Sequence, residues 1–113
     1  DSTQAPFDLI YVSSAAPRGL RALIDAEAAR RGFRHIAKPH AITPNDARNL
    51  GAAAAGTDYI VFIDNDVICA EGWLEALIAC ADETHADIVT PLTCQGEPVH
   101  QIVHQAGGRF TED

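Results

Sequence analysis

The most constraining feature of this sequence is an unbroken apolar run, residues 59–63, that leads directly into two carboxylates. The run is rich in β-branched and aromatic side chains, which predicts a strand buried on both faces, as in the middle of a parallel sheet. Asp64 and Asp66 follow it, separated only by Asn65. The carboxyl ends of parallel strands open into the ligand crevice. Two carboxylates placed there repel each other unless a cation neutralises them, so the motif predicts a hard divalent cation that holds a phosphate.

Asp64 and Asp66 also allow a plainer interpretation. On a strand, side chains two positions apart point to the same side, so both carboxylates can face one ligand. The tripeptide Asp-Asn-Asp is equally good turn-forming sequence, and a turn after the strand is the alternative. The motif taken alone does not decide between a site and a turn.

Strands and helices alternate along the rest of the chain. Apolar runs predict further strands at residues 7–12, 33–37, 86–90 and 99–104. Periodic apolar stripes and cap residues predict helices at residues 18–31, 43–55 and about 71–83. This alternation predicts one α/β domain over all 113 residues, with a mostly parallel sheet and right-handed crossovers.

The predicted helix 43–55 has the clearest start in the sequence. Thr43 is a cap residue, and an acid, Asp46, follows three positions later. In a βαβ order, the N-terminus of a helix lies on the same side as the carboxyl edge of the sheet. The first turn, with its free N–H groups, is therefore predicted to face Asp64. Arg48 in that turn is then placed to bind a phosphate through a bidentate contact. The alternative is that Arg48 pairs with a surface carboxylate.

Together these segments resemble family 2 of the nucleotide-sugar glycosyltransferases, whose fold is named GT-A. The resemblance rests on an ordered set of motifs: an A-R-N-x-G helix start, an apolar strand, a D-x-D motif and a G-W-L helix start. The combination is more specific than any one piece, and it is found at residues 45–51, 55–67 and 72–74. The resemblance covers about residues 7–91 and implies a Rossmann-like core, a mostly parallel sheet with flanking helices.

The resemblance also implies a function: transfer of a sugar from a nucleoside-diphosphate-sugar donor to an acceptor, with Mn²⁺ or Mg²⁺ as cofactor. It implies that Asp66 binds the metal directly and that Asp64 reaches the donor's ribose or the metal's water shell. Arg48 is placed near the diphosphate, and Asn45 and Asn65 are further candidates for donor binding. The physical logic agrees, because a divalent cation on the diphosphate oxygens stabilises the charge that develops as the sugar departs.

Three departures from the family pattern bear on these expectations. The family usually has an Asp at the end of the strand equivalent to residues 7–12, where it contacts the nucleobase; here that place is Ser13-Ser14, and Ser13 is the candidate for that contact. The family's usual first strand and helix are expected before residue 7, so the sheet is predicted to lack them. The catalytic base of the family is an acid downstream of D-x-D. Glu112 and Asp113 are weak candidates for it, because they follow Asp66 sooner than the pattern leads us to expect, and the base stays unassigned.

Two other functions stay open. Residues 64–68 also match the D-x-D-x-[TV] motif of haloacid-dehalogenase-type phosphotransferases, in which the first Asp is a nucleophile. That family needs a downstream Lys, whereas the single Lys here, Lys38, lies upstream. The second alternative is a non-catalytic α/β module that forms a homo-oligomer, since a sheet without its central strand has unpaired edges.

Charge and cysteine content narrow the range of partners. Residues 1–50 carry a net charge of +2 and residues 51–113 a net of −10, which argues against a nucleic-acid binder. Three cysteines without a C-x-x-C pair indicate neither a disulfide framework nor a zinc site, and a reducing, cytoplasmic setting is expected. No apolar run approaches the ~18 residues of a membrane span, so any membrane attachment is expected outside this sequence. The absence of Met predicts an excerpt of a longer protein.

Overall fold

The computed structural model of the chain describes residues 2–96 and 102–107. These residues form two compact units, Pro6–Val67 and the remainder of the described chain, each with a sheet of its own. The elements in chain order are β1 (Ile10–Ser14), α1 (Arg18–Arg31), β2 (Arg34–Lys38), α2 (Pro44–Ala54), α3 (Trp73–Thr84), β3 (Leu92–Gln95) and β4 (Ile102–Ala106).

The unit Pro6–Val67 is built on a parallel pair of strands joined by a helix. β1 and β2 run side by side, with Tyr11 opposite His35 and Ser13 opposite Ala37. The α/β class and a parallel sheet are therefore present, as predicted. The sheet in this unit has two strands among the described residues.

The end of α1 and the start of α2 agree with the signals in the sequence. α1 is followed by Gly32, whose φ of 77° is the left-handed conformation that glycine adopts without steric cost. α2 begins with a complete capping box, in which the Thr43 hydroxyl accepts from the Asp46 N–H at 3.1 Å. The Asp46 carboxylate in turn accepts from the Thr43 N–H at 3.4 Å, so the first turn of α2 is held from both sides.

Small residues let α2 lie close to β1. A Cβ on Gly51 would stand 3.7 Å from Val12 Cγ2, which places α2 on the face of the sheet that carries Val12. At the last residue of α2, Arg34 Nη1 donates to the Ala54 carbonyl at 2.8 Å, where a cation complements the negative end of the helix. Both contacts lie in the C-terminal half of α2 and connect that part of the helix to β1 and β2.

The prediction of a buried strand at residues 59–63 is wrong. These residues are irregular, and their side chains are 41–55% exposed. A strand forms when its backbone N–H and C=O groups pair with a neighbouring strand, and this segment pairs with none of the described strands. An apolar, β-branched sequence alone does not supply that partner.

The other unit contains α3 and an antiparallel hairpin. β3 and β4 pair with an irregularity between Thr93 and Cys94, so this sheet is antiparallel where a mostly parallel sheet was predicted. The predicted strand 86–90 is irregular chain, and the strand begins only after Pro91. Of the predicted strand 99–104, residues 102–104 lie in β4, and residues 99–101 lie outside the described part. β3 and β4 are paired as a hairpin with each other, and no helix connects them as in a parallel crossover.

In the same unit, the segment before Pro6 is attached to the start of α3. Glu75 Oε1 accepts from the Thr3 hydroxyl at 2.8 Å, from the Gln4 N–H at 2.6 Å and from the Ala5 N–H at 2.8 Å. The Gly72 N–H also donates to the Ser2 carbonyl at 2.8 Å. One carboxylate oxygen therefore joins residues about 70 positions apart in the chain.

Burial is sparse in the described residues. Ala28 on α1 and Leu74 on α3 are the only buried hydrophobic residues there, 8% and 6% exposed. Both residues lie on helices that apolar stripes in the sequence predict. Within the same part of the chain, no helix has the length and apolar character to cross a membrane.

Candidate functional site

The structure brings the first turn of α2 and the D-x-D segment together. Arg48 Nη2 donates to Asp64 Oδ1 at 3.4 Å, and Arg48 Nη1 donates to Asn45 Oδ1 at 3.4 Å. The side chains of Arg48 and Asp64 are 44% and 70% exposed. Three of the predicted donor-binding residues therefore form one exposed cluster within the unit Pro6–Val67.

Local sequence explains why Arg48 lies there. The Thr43–Asp46 capping box fixes the start of α2, and Arg48 follows two residues after Asp46, in the first turn and a half of the helix. The N-terminal end of a helix has unpaired N–H groups and a partial positive charge, which Arg48 reinforces. The Arg48 guanidinium at this end of α2 thus lies beside the Asp64 carboxylate.

Asn65 and Asp66 form a turn directly after Asp64. The argument that both carboxylates share one face assumed a strand, in which side chains alternate, and that assumption is wrong for this segment. The turn that the sequence offered as an alternative is what the structure contains. Asp66 is exposed and makes no hydrogen bond or ion pair with any described residue. Its carboxylate is therefore accessible to a ligand.

A second cluster, which the sequence analysis missed, connects β1, β2 and α1. His35 Nδ1 lies 2.7 Å from Asp25 Oδ1, and His35 Nε2 lies 2.8 Å from Ser13 Oγ. The His35 side chain is only 3% exposed, and its ring lies against Tyr11 with centroids 5.9 Å apart. The register that places His35 beside β1 could have indicated this contact, but Asp25 comes from a different element and gave no signal in the sequence.

Other features of the predicted site lie elsewhere. Glu112 and Asp113, the weak candidates for the catalytic base, lie outside the described residues. A shallow cavity of about 210 Å³ is lined by residues of α1, by one residue of β1 and by the residue before β2, and none of the predicted donor-binding residues lines it. Its lining residues are Tyr11, Leu23, Ile24, Glu27 and Phe33.

Comparison with known proteins identifies the family. The profile of glycosyl transferase family 2 matches residues 1–105, which is most of the chain. The chain belongs to glycosyl transferase family 2. Two curated relatives, both named pre-mycofactocin glycosyltransferase, come from the Mycobacterium tuberculosis strains CDC 1551/Oshkosh and ATCC 25618/H37Rv. Each is 42% identical over 53 residues, a stretch that covers 47% of this chain and 11% of the relative. No solved structure matches the chain.

Family membership decides between the alternatives that the D-x-D motif left open. The phosphotransferase interpretation required a different family, and the match over residues 1–105 places the chain in a glycosyl transferase family. The α/β unit with its parallel strands agrees with the fold that this family implies. The roles of Ser13, Asn45 and the D-x-D residues stay predictions.

The D-x-D residues fit the metal that the family resemblance implies. Among residues 2–96 and 102–107, no group of three or more His, Cys, Asp or Glu side chains is arranged to hold an ion. Mg²⁺ keeps several waters and is commonly bound through one or two carboxylates together with substrate phosphates. Two accessible carboxylates, Asp64 and Asp66, supply the hard oxygen ligands that such an ion requires. These two carboxylates therefore suit a metal ion that binds together with a diphosphate.

Proposed function

We propose that this chain carries the donor-diphosphate and metal site of a glycosyltransferase that uses a nucleoside-diphosphate sugar and Mn²⁺ or Mg²⁺. The observation that supports this most directly is the contact between Arg48 and Asp64. It places a guanidinium at the N-terminal end of α2, beside the carboxylates of the D-x-D motif. One surface therefore carries a guanidinium that can bind phosphate oxygens and a carboxylate that can bind a cation.

Arg48 is the group that would bind the diphosphate. Its contacts with Asn45 and Asp64 are both 3.4 Å, longer than the 2.7–2.9 Å of a strong charge-assisted hydrogen bond. An exposed pair of this kind contributes about 0–1 kcal/mol, so its exchange for a phosphate costs little. A guanidinium binds two phosphate oxygens at once, which also orients the donor.

Asp66 and Asp64 are the groups that would hold the cation. Both are acceptor-only side chains when ionised, and both are exposed. The metal, when bound, stabilises negative charge on the leaving nucleoside diphosphate. The chain's own contribution is to hold the diphosphate in position through Arg48 and to keep two carboxylates free of other strong partners.

Ser13 and Asn65 complete the proposed donor site. Ser13 lies near the carboxyl end of β1, the side on which ligands bind in parallel sheets. Asn65 lies in the turn between the two carboxylates and can donate or accept a hydrogen bond. Sugar, acceptor and catalytic base are not assigned, and the activity proposed here concerns the whole protein that contains this chain.

The proposal is tested by binding of a nucleoside diphosphate to the intact protein, measured by calorimetry with and without Mn²⁺ or Mg²⁺. We expect binding only with the metal, and we expect Asp66→Ala to abolish it. Asp58→Ala removes a carboxylate of the same type from an exposed position of the same segment and should leave binding unchanged. Metal-independent binding, or normal binding by Asp66→Ala, would disprove the proposal.

A further inference from the structure

The cluster of Ser13, His35 and Asp25 has the hydrogen-bond order of a serine nucleophile with its base. A carboxylate has no proton to donate, so the proton in the 2.7 Å contact with Asp25 belongs to His35 Nδ1. In the neutral imidazole Nε2 is then an acceptor, and Ser13 Oγ donates its proton to it across 2.8 Å. A hydroxyl bonded to a base that a third group orients is the arrangement that activates serine as a nucleophile.

The backbone that follows Ser13 is also of the kind that carries a serine nucleophile. β1 has Ser13 near its carboxyl end and leads through three residues into α1. Ala15 in this turn has a φ of 52°, a left-handed conformation that is uncommon for a residue with a side chain. In α/β hydrolases the serine nucleophile lies at a strained strand-to-helix turn, and the triad follows the chain order Ser, Asp, His. Ser13, Asp25 and His35 have the same order.

The start of α1 can stabilise the charge that develops when a serine attacks a carbonyl. Pro17 precedes the helix, no side chain caps it, and its first turn has no acidic residue. The first N–H groups of a helix have no partner within the helix. Such N–H groups stabilise the negative charge on a carbonyl oxygen under attack. Because the turn is short, this end of α1 lies at the sheet edge that carries Ser13.

An apolar cavity lies on the same face of the sheet. Side chains alternate along a strand, so Tyr11 and Ser13 point to the face that α1 covers. Tyr11 lines the shallow cavity of about 210 Å³, and its ring also lies 5.9 Å from the ring of His35. The cavity is therefore next to the base, and its size and apolar lining suit a short acyl chain. Val12 points to the opposite face, where α2 packs.

We propose that Ser13, His35 and Asp25 form a second site, which hydrolyses short-chain carboxylic esters. Ser13 Oγ bonds to the ester carbonyl carbon while its proton passes to His35 Nε2. The bond from that carbon to the alcohol oxygen breaks, and the alcohol leaves with the proton. Water then bonds to the acyl carbon and gives a proton to His35, and the acid leaves as this proton returns to Ser13 Oγ. The atoms balance with water as the one co-reactant.

In this reaction Ser13 is the nucleophile and His35 the general base. Asp25 is a positioning residue, because it acts by keeping the proton on His35 Nδ1. The activity goes beyond the proposed sugar transfer and does not depend on it.

Two measurements on the intact protein test this activity. The first is hydrolysis of p-nitrophenyl butyrate in the presence of EDTA, followed by release of p-nitrophenolate. The second is reaction with a fluorophosphonate, with the modified residue identified by peptide mass spectrometry. We expect turnover and phosphonylation of Ser13. The lack of either result overturns the inference, and it leaves the proposed function standing because neither measurement involves a nucleoside diphosphate.

Variants of Ser13 and Asp25 assign the turnover to the cluster. Ser13→Ala should lower kcat/KM by about 100-fold or more and abolish the labelling. Ser14→Ala is the matched control, because it removes an exposed serine of the same strand whose side chain points to the other face, and it should keep full activity. Asp25→Ala should lower kcat by about tenfold or more with little change in KM. Equal rates for Ser13→Ala and the unaltered protein would overturn the inference.

Nitrogen-15 NMR of the histidine rings gives a readout that a purely structural role of Asp25 would not change. In the unaltered protein at neutral pH, His35 should have its proton on Nδ1, and Asp25→Ala should move population to the tautomer with its proton on Nε2. Asp8→Ala removes an exposed carboxylate of the same unit and should leave the tautomer unchanged. A proton on Nε2 of His35 in the unaltered protein would overturn the inference, as would full activity of Asp25→Ala.

Discussion

Arg48 Nη2 and Asp64 Oδ1 lie 3.4 Å apart, and Asp64 comes sixteen positions after Arg48 in the chain. The contact joins the start of a helix to a turn. Both side chains are largely exposed, so we expect this pair to contribute little to the free energy of unfolding. Its significance lies in the two opposite charges that it keeps next to each other.

Arg48→Ala should weaken binding of a nucleoside diphosphate by about 10- to 100-fold, the range expected for hydrogen bonds to a charged group. Arg48→Lys should recover only part of the loss, since an ammonium group lacks the two-pronged geometry of a guanidinium. The melting temperature should change little in both variants. Titration calorimetry with Mn²⁺ measures the affinity.

Arg21→Ala provides the control for this series, because Arg21 is an exposed arginine on α1 with no assigned role. Its affinity for the diphosphate should equal that of the unaltered protein. An Arg48→Ala protein with unchanged affinity would remove Arg48 from the proposed site.

The attachment of residues 3–5 to α3 should be lost in acid. Hydrogen bonds from its own N–H, the Gln4 N–H, the Thr3 hydroxyl and the Ala5 N–H lower the pKa of Glu75 from 4.5 to about 2. Because the folded pKa lies below the unfolded value, this contribution to stability is fully present above pH 4.5 and declines as the pH falls to about 2. The protection of the Gln4 and Ala5 amides, measured relative to their intrinsic exchange rates at each pH, should decrease over that range.

Glu75→Gln should remove this pH dependence and give fast exchange at Gln4 and Ala5 already at neutral pH. Glu27→Gln is an informative comparison. Hydrogen bonds from Arg30 and Arg31 also lower the pKa of Glu27 to about 2, yet it lies on α1. That variant should leave the exchange of Gln4 and Ala5 unaffected. Protected amides in Glu75→Gln at neutral pH would contradict the assignment.

The capping box should stabilise α2 measurably. Thr43→Ala removes the side chain that accepts from the Asp46 N–H and should lower the free energy of unfolding by about 1 kcal/mol, determined from urea denaturation. Thr90→Ala, at an exposed position in irregular chain, should change it by less than about 0.5 kcal/mol. Equal stability of the two variants would show that the cap is energetically unimportant.

The exposed apolar run at residues 59–63 should cause the chain to self-associate. Large exposed apolar patches on soluble proteins are typical of interaction surfaces. Light scattering at micromolar concentration should show a dimer or a larger species, and Phe62→Asp should shift it toward monomer. Ile88→Asp alters another exposed apolar residue and serves as the control. A monomeric unaltered chain would count against association.

Local signals in the sequence predicted the helices well. The predicted ranges 18–31, 43–55 and 71–83 agree with α1, α2 and α3 to within two residues. Helix formation depends on residues within a few positions, and the relevant signals were the Thr43 cap, Gly32 and the apolar stripes. Each of these can be recognised without knowledge of the fold.

Strands were predicted less well, because a strand depends on a partner that can lie far away in the sequence. Residues 33–37 were displaced by one position from β2, which pairs with β1. Residues 59–63 and 86–90 have equally suitable composition but pair with no described strand. Composition indicates that a segment can be a strand, and pairing decides whether it is one.

The sequence predicted only part of the candidate site, because the rest depends on contacts between elements that lie apart in the chain. The order of strand and helix predicted that the first turn of α2 faces Asp64, and the structure places Arg48 there. The contacts of His35 with Ser13 and Asp25 connect three elements, and neither the charge pattern nor any motif encodes them. Such a cluster becomes visible only when the strand register is known.

The scarcity of buried hydrophobic side chains has a calorimetric consequence. Unfolding raises the heat capacity mainly because apolar surface becomes hydrated, and in the described residues sixteen large hydrophobic side chains are already exposed. The isolated chain should therefore show a small heat-capacity increment on unfolding and a correspondingly flat stability curve. Association that covers residues 59–63 buries apolar surface that folding leaves exposed. The heat capacity should therefore fall when the chain associates.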